Sequence, residues 1–187
     1  MVAVTALSGA GQFTLFAYFA PYYRQVLNAD ASTISLLFAW FGAFGLTGNV
    51  LLSRHVDRIG AGRAVNWLLA GVTLSAILWP WATSPGQMMV IILPWAIGCF
   101  ASNSAQQARL GTAAPALAPG LLALNTSAIY LGQAFGAAGG GAMMAANQLA
   151  GDPPFAGLHH VAVAWLLAAV CLSVWAGRSL ARRGHHA

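Results

Sequence analysis

Six stretches of this chain carry no charged side chain, and each is long enough to cross a lipid bilayer. They are Met1–Tyr22, Ser32–Leu52, Ala64–Trp81, Gln87–Ala105, Gly120–Ala146 and Val161–Gly177. A bilayer core takes about 20 apolar residues per helix. Every Asp and Arg lies between these stretches or after the last one, and there is no Glu and no Lys. A soluble domain carries about 25% charged residues; this chain has 6%. Most of its surface must therefore face lipid. Open-edged strands are ruled out there, because unpaired backbone groups are too costly in hydrocarbon. A barrel needs alternating segments of about ten residues, and these runs are continuous. The expected fold is an all-α polytopic membrane protein: residues 1–187 as one domain of six transmembrane helices.

The charges also predict orientation. Arg54, Asp57, Arg58 and Arg63 fall in the second connection, Arg109 in the fourth, and Arg178, Arg182 and Arg183 in the tail. With six spans these three regions share one side and hold seven of the eight arginines. Short loops rich in Arg stay in the cytoplasm, so both termini are expected there. The first stretch has no basic flank and runs into Tyr22 and Tyr23, so it reads as a span and not as a secretory leader. Asp30 and Ser32 are placed to cap the second helix. Pro94 predicts a kink in the fourth, and the sequence GDPP at 151–154 predicts a turn. Tyr22, Tyr23, Trp79 and Trp81 stand where an interfacial aromatic belt belongs. Cys99 and Cys171 lack metal or disulfide spacing and read as buried thiols.

Inside the spans no ionisable acid or base is expected, so no proton relay is evident. No HExxH, GxSxG or phosphate-binding glycine loop occurs. Neither an enzyme nor a metal or cofactor site is expected, and the scattered arginines form no nucleic-acid-binding face. His185 and His186 read as solvated tail residues. What the spans do hold is neutral and polar: Gln12 and Tyr18 in the first, Asn103 among several in the fourth, Asn125 and Gln133 in the fifth. Such groups either bond a neighbouring helix or line a cavity. Gly132, Gly136 and Gly140 recur every fourth residue and share one helix face, which favours close backbone packing. Gly42, Gly45 and Gly48 form a comparable series.

The segment Ser53–Arg63, SRHVDRIGAGR, adds a pattern beyond orientation. Asp57, Arg58, Gly60 and Arg63 spell D-R-x-G-x-x-R between the second and third spans. This resembles the intracellular loop motif of the major facilitator superfamily, in the weakened form of its C-terminal half. The first, second and fifth spans are similar to helices of the drug and sugar efflux branch. The resemblance implies half of a twelve-helix fold, six helices arranged as two inverted three-helix repeats. It implies efflux-type transport of a small organic solute across a bacterial inner membrane. The implied partner is a missing N-terminal six-helix half or a second copy. Asp57, Arg58, Gly60 and Arg63 would then form a conformational gate, with Gly60 and Gly62 making a tight turn and the arginines pairing with Asp57. Gln12, Tyr18, Asn103, Asn125 and Gln133, with Phe13 and Phe16, would line the translocation path. The alternative is a non-transporting membrane subunit or a truncated remnant.

Overall fold

The computed structural model describes residues 1–183, with side chains to Ser179, and every regular element among them is helical. The helices are α1 (Val2–Phe16), α2 (Phe19–Gln25), α3 (Ala31–Ile59), α4 (Ala61–Leu78), α5 (Pro85–Ile91), α6 (Leu93–Ala113), α7 (Ala118–Ala150) and α8 (Leu158–Arg183). His185 and His186 lie outside the described residues. Four segments are long and apolar enough to cross a membrane: α1 with α2, α3, α4 to Trp81, and α8 to Ser179. The bent pair α5–α6 makes a fifth if it counts as one span. Helix α7, at 33 residues, is long enough. It falls short in composition because glycines, Asn125 and Gln133 dilute its apolar residues. Length and composition thus support up to five spans where the sequence predicts six.

Prolines explain both breaks. A helical proline clashes with the carbonyl four residues earlier and offers no N–H. Pro21 meets this conflict at Ala17, and the chain breaks at Ala17–Tyr18, with Tyr18 at φ −114°. Pro94 meets it at Val90, and α5 and α6 are bent by 41° at Ile92. Because α2 turns inward, Tyr22, Tyr23 and Trp79 are buried in the core. Of the four residues assigned to an aromatic belt, only Trp81 is exposed, at 67%. Phe19 sits at the middle of the cluster, 4.9 Å from the Trp79 ring and 5.1 Å from Trp95.

The opposite end of the bundle corrects the expected second loop. Helix α3 does not stop at Leu52 but runs to Ile59, since nothing between them breaks a helix and Arg is a good helix former. Gly60 alone separates α3 from α4, at φ 85°. Gly62 lies inside α4 and makes no turn. Likewise α6 passes the expected end at Ala105, so Arg109 is a helical residue. Cys171, expected to be buried, lies on the exposed face of α8, and Cys99 is partly buried.

Helix α1 packs on α7 and α8, α6 packs on α4 and α3, and α4 packs on α8. The α1–α7 contact is the tightest. A methyl group added at Gly132 would lie 2.2 Å from the Ala6 carbonyl oxygen, and one at Gly136 would lie 2.2 Å from that of Ala10. At Gly140 it would meet Thr14 and Tyr18. In the other series Gly48 abuts Ile97 and Gly45 abuts Phe100, whereas Gly42 faces open space. Gly136→Ala is therefore expected to destabilise the fold by about 1–3 kcal/mol through overpacking. Gly139→Ala, whose methyl meets nothing within 4 Å, serves as the control. Thermal melts in detergent compare the two.

Asp30 caps α3, accepting from the Thr33 amide at 2.8 Å and from the Ser32 hydroxyl at 3.0 Å. The bonds from Thr33, then Ser32, hold its carboxyl below the ordinary range. A depressed folded pKa makes the cap's stabilisation complete above the ordinary value, about 3.9, and lost as pH falls through the folded value. Asp30→Ala is expected to speed amide exchange at Thr33 at neutral pH. In the parent chain only acid should do so, after correction for intrinsic exchange.

Candidate functional site

Three helices bring their polar residues to one cavity. On α1, Thr5, Gly9, Gln12, Phe13 and Phe16 follow a spacing of three or four and share a face. On α6, Trp95, Cys99 and Asn103 do the same, as do Ile129 and Gln133 on α7. Phe41 of α3 and Phe100 complete the lining of a cavity of about 110 Å³. Its aromatic end is closed by Phe16, Phe41 and Trp95. The Phe16 and Phe41 rings lie 5.3 Å apart, and those of Phe41 and Trp95 lie 6.1 Å apart.

Trp95 fixes this wall. The break at Ile92 leaves its backbone N–H without the usual carbonyl, and the Ser75 hydroxyl of α4 accepts it at 3.1 Å. Its indole N–H donates to Gln12 Oε1 at 3.0 Å, and Gln12 Nε2 donates to Ser8 at 3.0 Å. Gln12 is thus held between two helices at both ends of its amide. Asn103 makes one long bond, from Nδ2 to the Cys99 carbonyl at 3.4 Å. Gln133 makes none among the described residues.

Of the five residues assigned to the path, Gln12, Asn103 and Gln133 converge on this cavity, with Phe13 and Phe16. Two do not. Asn125 is fully buried and accepts from Thr5 at 2.6 Å, tying α7 to α1. It lies seven residues before Gly132 on the glycine-bearing face, so tight packing covers it. Tyr18 donates to the Ala137 carbonyl and lies against Gly140 and Gly141, bridging the helix break. Trp95, Cys99, Phe41 and Phe100 were missed. The four-residue spacing of Trp95 and Cys99 from the already assigned Asn103 was the signal that would have found two of them.

The loop residues form no cluster. Asp57, Arg58 and Arg63 are all exposed. No ion pair within 4.0 Å joins Asp57 to either arginine among the described residues. Instead a buried network stands nearby on α6. Arg109 is only 6% exposed and faces Gly62 and Gly177. It donates to the hydroxyl and the carbonyl of Ser173, at 2.7 and 2.9 Å, and the Ser173 hydroxyl donates to Asn66 at 2.6 Å. This joins α6, α8 and α4 through a cation held by neutral acceptors. Among the described residues no three His, Cys or Asp side chains gather as metal ligands.

No family profile matches the chain. It is similar to the inner membrane transport protein YdhP of Escherichia coli K12, with 29% identity over 146 residues. That match takes in 77% of this chain and 37% of that protein. The YdhP protein of Escherichia coli O157:H7 is similar to the same extent. The chain thus spans well under half the length of the curated relatives it matches.

Ser173→Ala removes an acceptor from a buried charged donor and is expected to cost about 1.5–3 kcal/mol. Ser179→Ala, at a half-buried serine whose hydroxyl bonds only the Trp175 carbonyl of its own helix, is expected to leave the melting midpoint unchanged. Paired denaturation curves in detergent test this.

Proposed function

We propose that the chain is a six-span half of an efflux-type transporter of the major facilitator superfamily, moving a small organic solute across a bacterial inner membrane. Its helices form two inverted three-helix repeats, α7 is the fifth span, and both termini face the cytoplasm. The observation that carries this reading is the pattern of helix contacts. Exchange α1, α3 and α4 for α6, α7 and α8, and the closest helix contacts map onto one another, although α6–α7 has no α1–α3 counterpart. The α1–α7 contact becomes α6–α3, α1–α8 becomes α6–α4, and α4–α8 is unchanged. The cavity lies among α1, α6 and α7; α1 and α6, one of the pairs this exchange interchanges, each adjoin a proline break. Transporters built from repeats place substrate at such an interface, beside discontinuous helices.

The remaining six spans come from an N-terminal half or a second copy. Asp57, Arg58, Gly60 and Arg63 act toward that partner as a gate. Asp57 sits near the C-terminal end of α3, where the dipole of its own helix does not favour an anion. The N-terminus of a partner helix would. A second reading is a non-transporting membrane subunit or remnant, which would keep the packing and the Gly60 junction without flux.

Solute counterflow into proteoliposomes separates the two, with the chain alone and with the product of any open frame upstream of Met1. Flux of at least one neutral solute is expected. Asn103→Leu with Gln133→Leu is expected to slow it about tenfold or more, since one lost hydrogen bond is worth about that factor. Membrane insertion should not change. Absence of flux in both preparations establishes the remnant reading.

A further inference from the structure

We propose that the wall this chain contributes recognises an uncharged, planar aromatic solute of single-ring size whose edge presents a hydrogen-bond donor beside an acceptor, as a carboxamide does. This rests on reading the same cavity as the transport site.

Charge is the first selector. No Asp, Arg or His lines the cavity. Arg24 and Asp30 lie toward the aromatic end of the bundle, and Arg54, Asp57, Arg58 and Arg63 lie at the Gly60 end. Arg109, the nearest cation along α6, is engaged by Ser173. An organic ion entering this space would lose water and find no counter-ion, a cost that neutral amides do not offset.

Shape is the second. Phe13 and Phe16 are half-buried, 5.4 Å apart, and present ring surface to the space. Phe100 is half-exposed at its rim. Ring faces favour offset or edge contact with another flat ring. The space that this wall itself encloses, about 110 Å³, seats one ring.

The third selector is the pair of amides. Gln12 is committed at both ends. Asn103 keeps its oxygen and one N–H, and Gln133 keeps its whole amide. They stand on α6 and α7, with Phe13 of α1 in the same wall. Each offers a donor and an acceptor side by side. An occupant that cannot answer them leaves polar groups unpaired on binding, and that selects strongly against bare hydrocarbons. A polyol would need partners all around its ring, where this wall offers mostly carbon.

Equilibrium dialysis against the chain in lipid nanodiscs tests this with four probes of similar size: nicotinamide, benzoate, benzylammonium and arabinose. Nicotinamide is expected to bind at least about tenfold more tightly than each of the others. Gln133→Met is expected to lower its affinity about tenfold with the melting midpoint kept, and Gln133→Glu to shift preference toward benzylammonium. Benzoate, benzylammonium or arabinose binding as tightly as nicotinamide overturns the proposal, as does a Gln133→Met variant with undiminished affinity. No binding of any probe overturns it too. Counterflow keeps the two readings apart: flux of another solute without nicotinamide binding defeats the solute class alone, whereas absence of flux of these probes and of every other neutral solute tried, in both preparations, defeats transport.

Discussion

Two hydrogen bonds from Trp95 hold the interior together. Its backbone amide is freed by the break that Pro94 imposes, and a freed donor buried in a membrane protein must find a partner inside the protein. Ser75 of α4 accepts it. The indole N–H then reaches Gln12 of α1, while the ring packs on Phe19, Phe41 and Trp79. One residue thereby sets α1, α4 and α6 in register and closes one end of the cavity. The residues that line the cavity inherit their positions from this arrangement.

Where side chains keep α1 and α6 apart, there is space. Where glycine replaces them, there is none. Helix α1 shows both within a few turns. Its Ala6 and Ala10 face touches α7 backbone to backbone, and Gly11 admits Leu166 of α8. Its Gln12 and Phe13 point into the cavity. Association of helices in lipid depends on such packing and on interhelical hydrogen bonds, since lipid tails are as apolar as Leu. Thr5–Asn125 and Gln12–Trp95 are two bonds of this kind, tying α1 to α7 and to α6.

Much of this was legible in the sequence. The uncharged stretches marked where the long helices begin but not where α3, α6 and α8 end, and Pro94 announced its bend. The four-residue spacing of Gly132, Gly136 and Gly140 marked the α7 face that meets α1. Three of the five assigned path residues reach the cavity. The failures share a physical source. Apolar and charged runs report where lipid ends, not where a helix ends. Hence Ser53–Ile59 and Gln106–Ala113 looked like loops, and Arg109 looked solvated, although both segments continue helices. Asn125 and Tyr18 lie outside the cavity, and the sequence did not show it, because a polar residue carries no mark of whether its partner is a neighbouring helix or an open space. Asn125 shares its face with the glycines, and that face was already filled.

The junction at Gly60 has a mechanical consequence. A long helix of 29 residues passes into one of 18 through a single residue with positive φ. No slack lies between them, so α3 and α4 turn as one bent lever whose only compliance is one pair of backbone torsions. A displacement of the exposed end of α3 therefore bears on α4, which Asn66 and Ser173 link to α8 and α6. A Cβ at residue 60 would meet no neighbour. At φ 85° and ψ 132° any side chain would be strained all the same, so the elbow needs glycine for its backbone and not for space.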